Sequence, residues 1–361
     1  MRMKKLMILA VAAIALVACS RTFEKHETEG VAIGFGTWNE VMTKAQKTAF
    51  ATGEKFEVFG YKYKDGETPT PTSVFTGDEV ELKSTGLWEY SPLRFWDPAF
   101  NNYTFFAVFP EDQLSGTLAD YAQTGLFVTN SITYDGTNEK LLVAQKKTVA
   151  TGNSGNAVPL VFKHAGALID FKFKKAANLE DCEVTVNTFK LYNILTAGTF
   201  EVDSYDGDNN PVGKTVSEVA GLGWTAGATK NAATSGAAAA PYVLASAATI
   251  ASDSTTPVAL IENLVVMPQK FTTGDGSQAF EISYQFTDEA GTTNTYTATS
   301  HEIGKFDGNG ADTSNDSTIG AWKPGIHYTY YITIDAKGIE FTASIAPWTE
   351  ITYDGHYYLL N

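Results

Sequence analysis

Ala165-Gly166-Ala167-Leu168-Ile169-Asp170-Phe171-Lys172-Phe173-Lys174 decides the fold class. Ala165, Ala167, Ile169, Phe171 and Phe173 fall on one side of an extended chain, and Leu168, Asp170, Lys172 and Lys174 on the other. Successive side chains of a strand point to opposite faces, so the stretch predicts a strand with one face in a core and the other mostly in water. The same period recurs in Tyr328, Tyr330, Ile332 and Ile334, and in Ile339, Phe341, Ala343 and Ile345. Only Ala336-Lys337-Gly338 separates those two runs, which predicts a hairpin.

Moving outward, Phe56 to Tyr63 reads as a strand. Tyr103 to Phe109 (YTFFAVF) is a continuous apolar run that fits a strand buried on both faces. Gly, Asn, Asp and Pro clusters separate such runs along the whole chain. Apart from a possible short helix at Glu40 to Lys47, no helical periodicity stands out. Regularly spaced strands with turn signals imply an all-β protein of antiparallel β-sandwiches, and 361 residues suit two in tandem. The join is expected in Thr148 to Pro159, which is rich in Gly, Asn and Ser, dividing an N-terminal sandwich (31–155) from a C-terminal one (156–361). Residues 204 to 256, rich in Ala, Gly, Ser, Thr and Asn, read as long loops with Trp224 and Pro241-Tyr242-Val243 as islands.

The first residues read as an export signal. Arg2, Lys4 and Lys5 precede the apolar run Leu6 to Ala18, which is shorter than the ~20 residues a helix needs to cross a bilayer. Leu16-Val17-Ala18-Cys19 looks like a bacterial lipobox: small residues suit a peptidase groove, and the cysteine after the cut supplies a thiol for lipid attachment. Residues 1–18 are therefore expected to be a signal peptide, cleaved between Ala18 and Cys19, and residues 19–30 a lipidated tether to a membrane. With Cys19 lipidated, Cys182 stands alone, and no disulfide within the chain is expected.

The 26 Lys and Arg against 41 Asp and Glu give a formal charge of −15, and loss of the leader would make it more negative. Such a surface argues against nucleic acid, whose phosphates call for basic residues. No nucleophile elbow, P-loop or HExxH occurs, so an enzyme is not expected. His26, His164, His301, His327 and His356 lack metal-ligand spacing. Gly34-Phe35-Gly36 half matches a dinucleotide fingerprint, but in a strand-like segment without a following helix. Asp206-Gly207-Asp208-Asn209-Asn210 departs from a calcium loop and reads as a turn. Neither metal nor cofactor is expected. Trp88, Trp96, Trp224, Trp322 and Trp348 fit core packing better than a sugar-stacking platform.

Several segments, taken in order, carry a resemblance. They are Val31-Ala32-Ile33-Gly34-Phe35, Thr43-Lys44-Ala45, Lys55 to Tyr61, Trp88-Glu89-Tyr90-Ser91-Pro92 with Arg94-Phe95-Trp96, and Tyr103 to Pro110. Leu160 to Ala165, Val265-Val266-Met267-Pro268-Gln269, and Trp322-Lys323-Pro324-Gly325 leading to Tyr328-Thr329-Tyr330 follow, with Trp348 after the last hairpin. This order resembles the fimbrillin-like lipoproteins of Bacteroidales-type bacteria, subunits of type V pili, over nearly the whole chain. The resemblance implies two transthyretin-like sandwiches, outer-membrane display through the lipid, trimming by a trypsin-like protease, and assembly with other fimbrillin subunits into an adhesive fimbria. The family often shows Arg where this chain has Lys44.

In that scheme a strand near Val31 to Trp38 would be lost after a cut at Lys44 or Lys47. A sandwich missing a strand exposes unpaired backbone groups and an apolar groove. A neighbouring subunit's C-terminal tail would fill it, with Ile351, Tyr353, Tyr357 and Leu359 as its apolar candidates. The alternative is a monomeric surface lipoprotein that binds glycan or protein ligands.

Overall fold

The structure, a computed structural model, describes residues 30–36, 50–65, 72–115, 121, 125–136, 139–144, 147–150, 157–205, 211–213, 224–226, 242, 246–252, 254–272, 277–303, 320–335 and 338–347. The expected helix at 40–47 and the acidic turn at 206–210 lie outside them. Nearly all the regular secondary structure of the described residues is strand.

The stretch that decides the fold class forms the strand Ala167–Lys175. Ala167, Ile169, Phe171 and Phe173 enter one core, while Leu168 enters another. Asp170 is buried as well, and its carboxylate is met by His327 Nε2 at 3.0 Å and by the backbone N–H of Asn263 at 2.8 Å. A buried carboxylate requires partners of this kind.

This strand belongs to a four-stranded sheet ordered Val258–Val266, Ala167–Lys175, Ile326–Asp335, Gly338–Pro347. The last two strands form the expected hairpin, paired from Ile326 with Pro347 to Asp335 with Gly338. Ala167–Lys175 and Ile326–Asp335 run parallel, a departure from a purely antiparallel sandwich. No tight turn joins them, so nothing local imposes the opposite direction. The facing sheet is antiparallel and ordered Ala248–Ile250, Glu183–Tyr192, Ala279–Thr287, Thr293–Glu302. Val184, Phe189, Leu191, Phe280 and Ile282 meet Ile169, Phe171, Tyr330 and Ile332 between the two sheets.

The N-terminal sheet is ordered Phe162–His164, Leu142–Ala144, Asn102–Phe109, Lys55–Tyr63, Thr72–Leu82, Trp88–Glu89, and Lys147–Ala150 also pairs with Asn102–Phe109. Asn102–Phe109 is buried on both faces, as its apolar run predicts. Tyr103, Phe105, Ala107 and Phe109 fill the N-terminal core, whereas Phe106 and Val108 turn the other way.

That other face joins the two sandwiches. Phe59, Phe106, Val108 and Val143 from the first sheet cluster with Leu168, Val265 and Met267 from the second, around Phe127, Tyr134, Phe200 and Trp224. Both aromatic islands of the Ala/Gly-rich region are buried. Trp224 Nε1 donates to Ala165 O at 2.9 Å, and Tyr242 lies in the C-terminal core. Trp88, Trp96 and Trp322 are buried too, so these tryptophans pack the interior; Trp348 lies outside the described residues.

Two strand pairs link residues on either side of the expected division at 155/156. Val158–Pro159 pairs with Phe35–Gly36, and Phe162–His164 with Leu142–Ala144. The cause is burial: Leu160 and Phe162 are N-terminal core residues. Glu139 gathers the chain around Ala165-Gly166. Its carboxylate accepts hydrogen bonds from Tyr134 Oη at 2.9 Å, Leu141 N at 3.0 Å and Gly166 N at 3.2 Å. A Cβ at Gly166 would meet Glu139 Oε2 at 2.7 Å, so glycine is required for this approach.

Candidate strand-exchange groove

Val31 to Gly36 alternates large with small: Ile33 and Phe35 are flanked by Ala32, Gly34 and Gly36. In an extended chain this puts the two large side chains on one face. Both are buried, and both belong to the N-terminal core. Fully burying two such side chains contributes roughly 3–6 kcal/mol before ordering costs.

The segment lies between two backbones and bonds to each. On one side it runs antiparallel to Arg94–Trp96, with Ala32 bridged to Phe95. Ile33 N–H donates to Arg94 O at 2.8 Å, and Trp96 N–H to Val31 O at 2.9 Å. On the other side Phe35–Gly36 runs parallel to Val158–Pro159. Val158 N–H donates to Gly34 O at 2.7 Å, and Leu160 N–H to Gly36 O at 3.0 Å. Gly30 allows the close approach at the entry, since a Cβ there would lie 3.0 Å from Trp96 O.

Phe35 is the centre of an aromatic pocket. Its ring centroid lies 5.1 Å from Phe75, 5.7 Å from Phe105, 5.9 Å from Tyr90 and 6.4 Å from Phe56. Edge-to-face and tilted pairs of this kind add about 0.5–1.5 kcal/mol each beyond area burial. The Tyr90 hydroxyl donates to Ile33 O at 2.6 Å and accepts from Arg94 N–H at 3.2 Å. Burial pushes the Tyr90 phenol up to about 12, so it stays a donor at every physiological pH.

The walls are braced independently of the segment they hold. Arg94 Nε donates to Val74 O at 3.2 Å, and its guanidinium pairs with Asp78 at 2.9 Å. Trp96 packs edge-on against Tyr103 at 4.6 Å, and Asp97 N–H donates to the Tyr103 hydroxyl at 2.7 Å. Residues 37–49 lead to Phe50, whose ring lies 5.1 Å from each of Trp88, Phe109 and Phe162.

Of the sequence-predicted site residues, the structure describes the strand expected near Val31 to Trp38 as far as Gly36. Ala18, Cys19, Lys44, Lys47, Ile351, Tyr353, Tyr357 and Leu359 all lie outside the described residues. Sequence reasoning did not single out Phe75, Tyr90 or Arg94 as groove residues. Tyr90 and Arg94-Phe95-Trp96 figured only in the resemblance, and Phe75 is one aromatic in the mostly polar strand Thr72–Leu82. Among the described residues no group of three or more His, Cys, Asp or Glu gathers as a metal site.

Comparison with known proteins agrees with this architecture. A profile of the fimbrillin-like family matches residues 43–348. No curated protein matches the chain. Among solved structures, a fimbrial protein from Bacteroides vulgatus aligns with a TM-score of 0.57 at 20% identity, covering 89% of this chain and 100% of that one. The tip fimbrial protein Mfa3 from Porphyromonas gingivalis, with a C-terminal truncation, gives 0.36 at 11% identity over 82% and 95% of the two chains. The fimbrial anchor protein Mfa2 from the same organism gives 0.31 at 11% over 90% and 99%. The first likeness supports the fold, and the profile match spans most of the chain: the protein belongs to the fimbrillin-like family.

Proposed function

We propose that the protein is a structural subunit of an adhesive surface fimbria, built from two tandem transthyretin-like sandwiches that divide at Ala165-Gly166. In this reading it is exported as a lipoprotein on Cys19 and displayed at the outer membrane. A trypsin-like protease then trims it at Lys44 or Lys47, and other fimbrillin subunits assemble with it by strand exchange. One observation carries the reading: a six-residue segment bonded on both sides supplies Ile33 and Phe35 to the core. Both lysines fall between that segment and Phe50, which is anchored in the body.

A cut there leaves the segment without a covalent link to the walls of its groove. Its departure would expose two unpaired strand edges and an aromatic pocket, which a strand from a neighbour can satisfy together. Escape of an inserted strand requires many backbone bonds to break at once, so polymers formed this way dissociate slowly. The apolar cluster between the sandwiches suits a subunit that transmits load along a filament.

The test is mild trypsin digestion of the surface form. An early cut leaving a body that begins at Ala45 or Thr48, followed by oligomer ladders on unboiled denaturing gels, supports the reading. The double change Lys44→Ala and Lys47→Ala should block both cut and ladder. A double mutant that still polymerises moves the monomeric binding lipoprotein ahead. Cys19→Ala should abolish fatty-acid labelling; unchanged labelling rules out lipidation at that residue.

A further inference from the structure

We propose that Tyr90 is the register-setting residue of the groove, and that the groove takes a strand with an aliphatic residue followed, two positions on, by an aromatic one. The inference rests on the strand-exchange reading and adds to it the chemistry of the strand that fits.

Backbone bonds alone do not fix register here. A strand that slips by two residues keeps the same side chains facing the core and regains the same type of ladder bonds on both walls. Something other than the ladder must mark one position along the groove, and the Tyr90 ring does so. Its ring borders Phe35, with the centroids 5.9 Å apart and the planes at 58°. Its hydroxyl donates to the carbonyl of Ile33, two residues earlier, at 2.6 Å. Any residue brings a carbonyl to that hydroxyl, so the bond holds whichever strand is present, while the ring contact marks the aromatic position. A strand shifted by two would leave the ring contact unmet.

Tyr90 is also prepared for an empty groove. A phenol has a single proton, and Ile33 O is its nearest acceptor, but Arg94 O lies 3.3 Å away on the wall that stays behind. The Arg94 N–H that it accepts belongs to the same wall. When the resident segment leaves, the hydroxyl turns to Arg94 O and is not orphaned, so the reader stays in place for the next strand. The pocket is sized for a ring, being formed by Phe56, Phe75, Tyr90 and Phe105. In this chain's own C-terminal residues, Ile351-Thr352-Tyr353 carries the aliphatic-then-aromatic order, whereas Tyr357-Tyr358-Leu359 carries the reverse.

The experiment uses the full chain in a Cys182→Ser background, cut once between Gly36 and Phe50. Two fluorescent peptides compete for the groove: the sequence Val31 to Trp38, and the same peptide with Ile33 and Phe35 exchanged. The exchanged peptide is expected to bind about fivefold more weakly, the effect of losing its aromatic fit. Register is read by disulfide trapping between Pro159→Cys in the protein and a cysteine at peptide position 36, its observed partner. In the parent protein trapping is confined to that position. In Tyr90→Leu, which removes the ring, trapping should spread to a cysteine two positions away. If both peptides bind equally, or trapping in Tyr90→Leu stays confined, the register proposal is overturned while strand exchange stands. If the cut parent takes up neither peptide, strand exchange fails and the register proposal with it.

Discussion

The two sandwiches contrast in the strands nearest the two ends of the described chain. In the second, Gly338–Pro347 is an edge strand among the described residues, where it pairs with Ile326–Asp335, to which residues 336–337 connect it. In the first, Val31–Gly36 lies between two backbones, carries two buried side chains, and reaches the rest of its domain only through residues 37–49. Loss of an edge strand opens one edge. Loss of a central strand opens two edges and a cavity, a state that demands a replacement. On the proposed strand-exchange reading, a single cut turns one end of this molecule into a receptor while leaving the other sandwich whole.

The largest effect that sharpens the contrast is Phe35→Ala. Emptying a pocket formed by four aromatic rings should destabilise the first sandwich by about 3–5 kcal/mol. Phe171→Ala, which removes a buried ring 4.9 Å from Tyr330 and 5.0 Å from Phe189, should act as strongly on the second. Hydrogen exchange separates the two. The first change should loosen Lys55–Tyr63 and Asn102–Phe109 before Ala279–Thr287, and the second the reverse. Equal loosening everywhere would break the comparison.

A smaller effect comes from adding an atom. A Cβ on Gly60 would meet the Phe105 ring at 2.7 Å, and Phe105 lines the Phe35 pocket. Gly60→Ala should destabilise the first sandwich by about 1–3 kcal/mol. It should also speed release of the resident strand once residues 37–49 are cut. An unchanged release rate would mean that the pocket does not hold the strand.

Acid should divide the sandwiches as well. Burial pushes the Glu57 carboxyl from 4.5 up to about 7, opposed by a backbone hydrogen bond from Asp112 and helped by the charges of Asp112, Glu79 and Glu111. The folded protein thus holds this proton where the unfolded chain has lost it, and the first sandwich gains stability as pH falls from about 7 to 4.5. Burial also pushes the Asp170 carboxyl up, but His327 and the Asn263 N–H outweigh it and hold the group below 3.8. Its contribution to the second sandwich is present above 3.8 and is lost as pH falls through the depressed value. Glu57→Gln should flatten the first response, and Asp170→Asn the second. Exchange-detected stability curves from pH 7.5 to 3 check both, and parallel curves in both sandwiches would contradict the assignment.

The smallest expected effect is on a wall. Arg94→Gln removes a partly exposed ion pair with Asp78 and should cost about 0.5–1 kcal/mol. Its clearer sign would be slower uptake of a new strand after the cut, because the wall that must wait empty is less well braced.

The fold was legible where side chains alternate. Ala167–Lys175, the Ile326–Pro347 hairpin and the doubly buried Asn102–Phe109 all follow from period and apolarity. The parallel pairing of Ala167–Lys175 with Ile326–Asp335 was not legible, because no local turn records it. The Gly/Asn-rich stretch before Pro159 gave no sign that Leu160 and Phe162, just after it, pack in the same core as Ile33 and Phe35. Of the groove, Ile33 and Phe35 were visible as an apolar segment. Tyr90 and Phe75 were not, since a pocket assembled from residues far apart in sequence leaves no spacing to read.

The most direct test of the central claim is to cut the chain once within residues 37–49 and follow the fragment carrying Val31–Gly36 by native mass spectrometry. The account predicts that the fragment stays bound after the cut. It should then be replaced one for one when excess Val31-to-Trp38 peptide is added, with the first sandwich folded throughout. A fragment that falls away at once, leaving an empty and fully protected first sandwich, would contradict it.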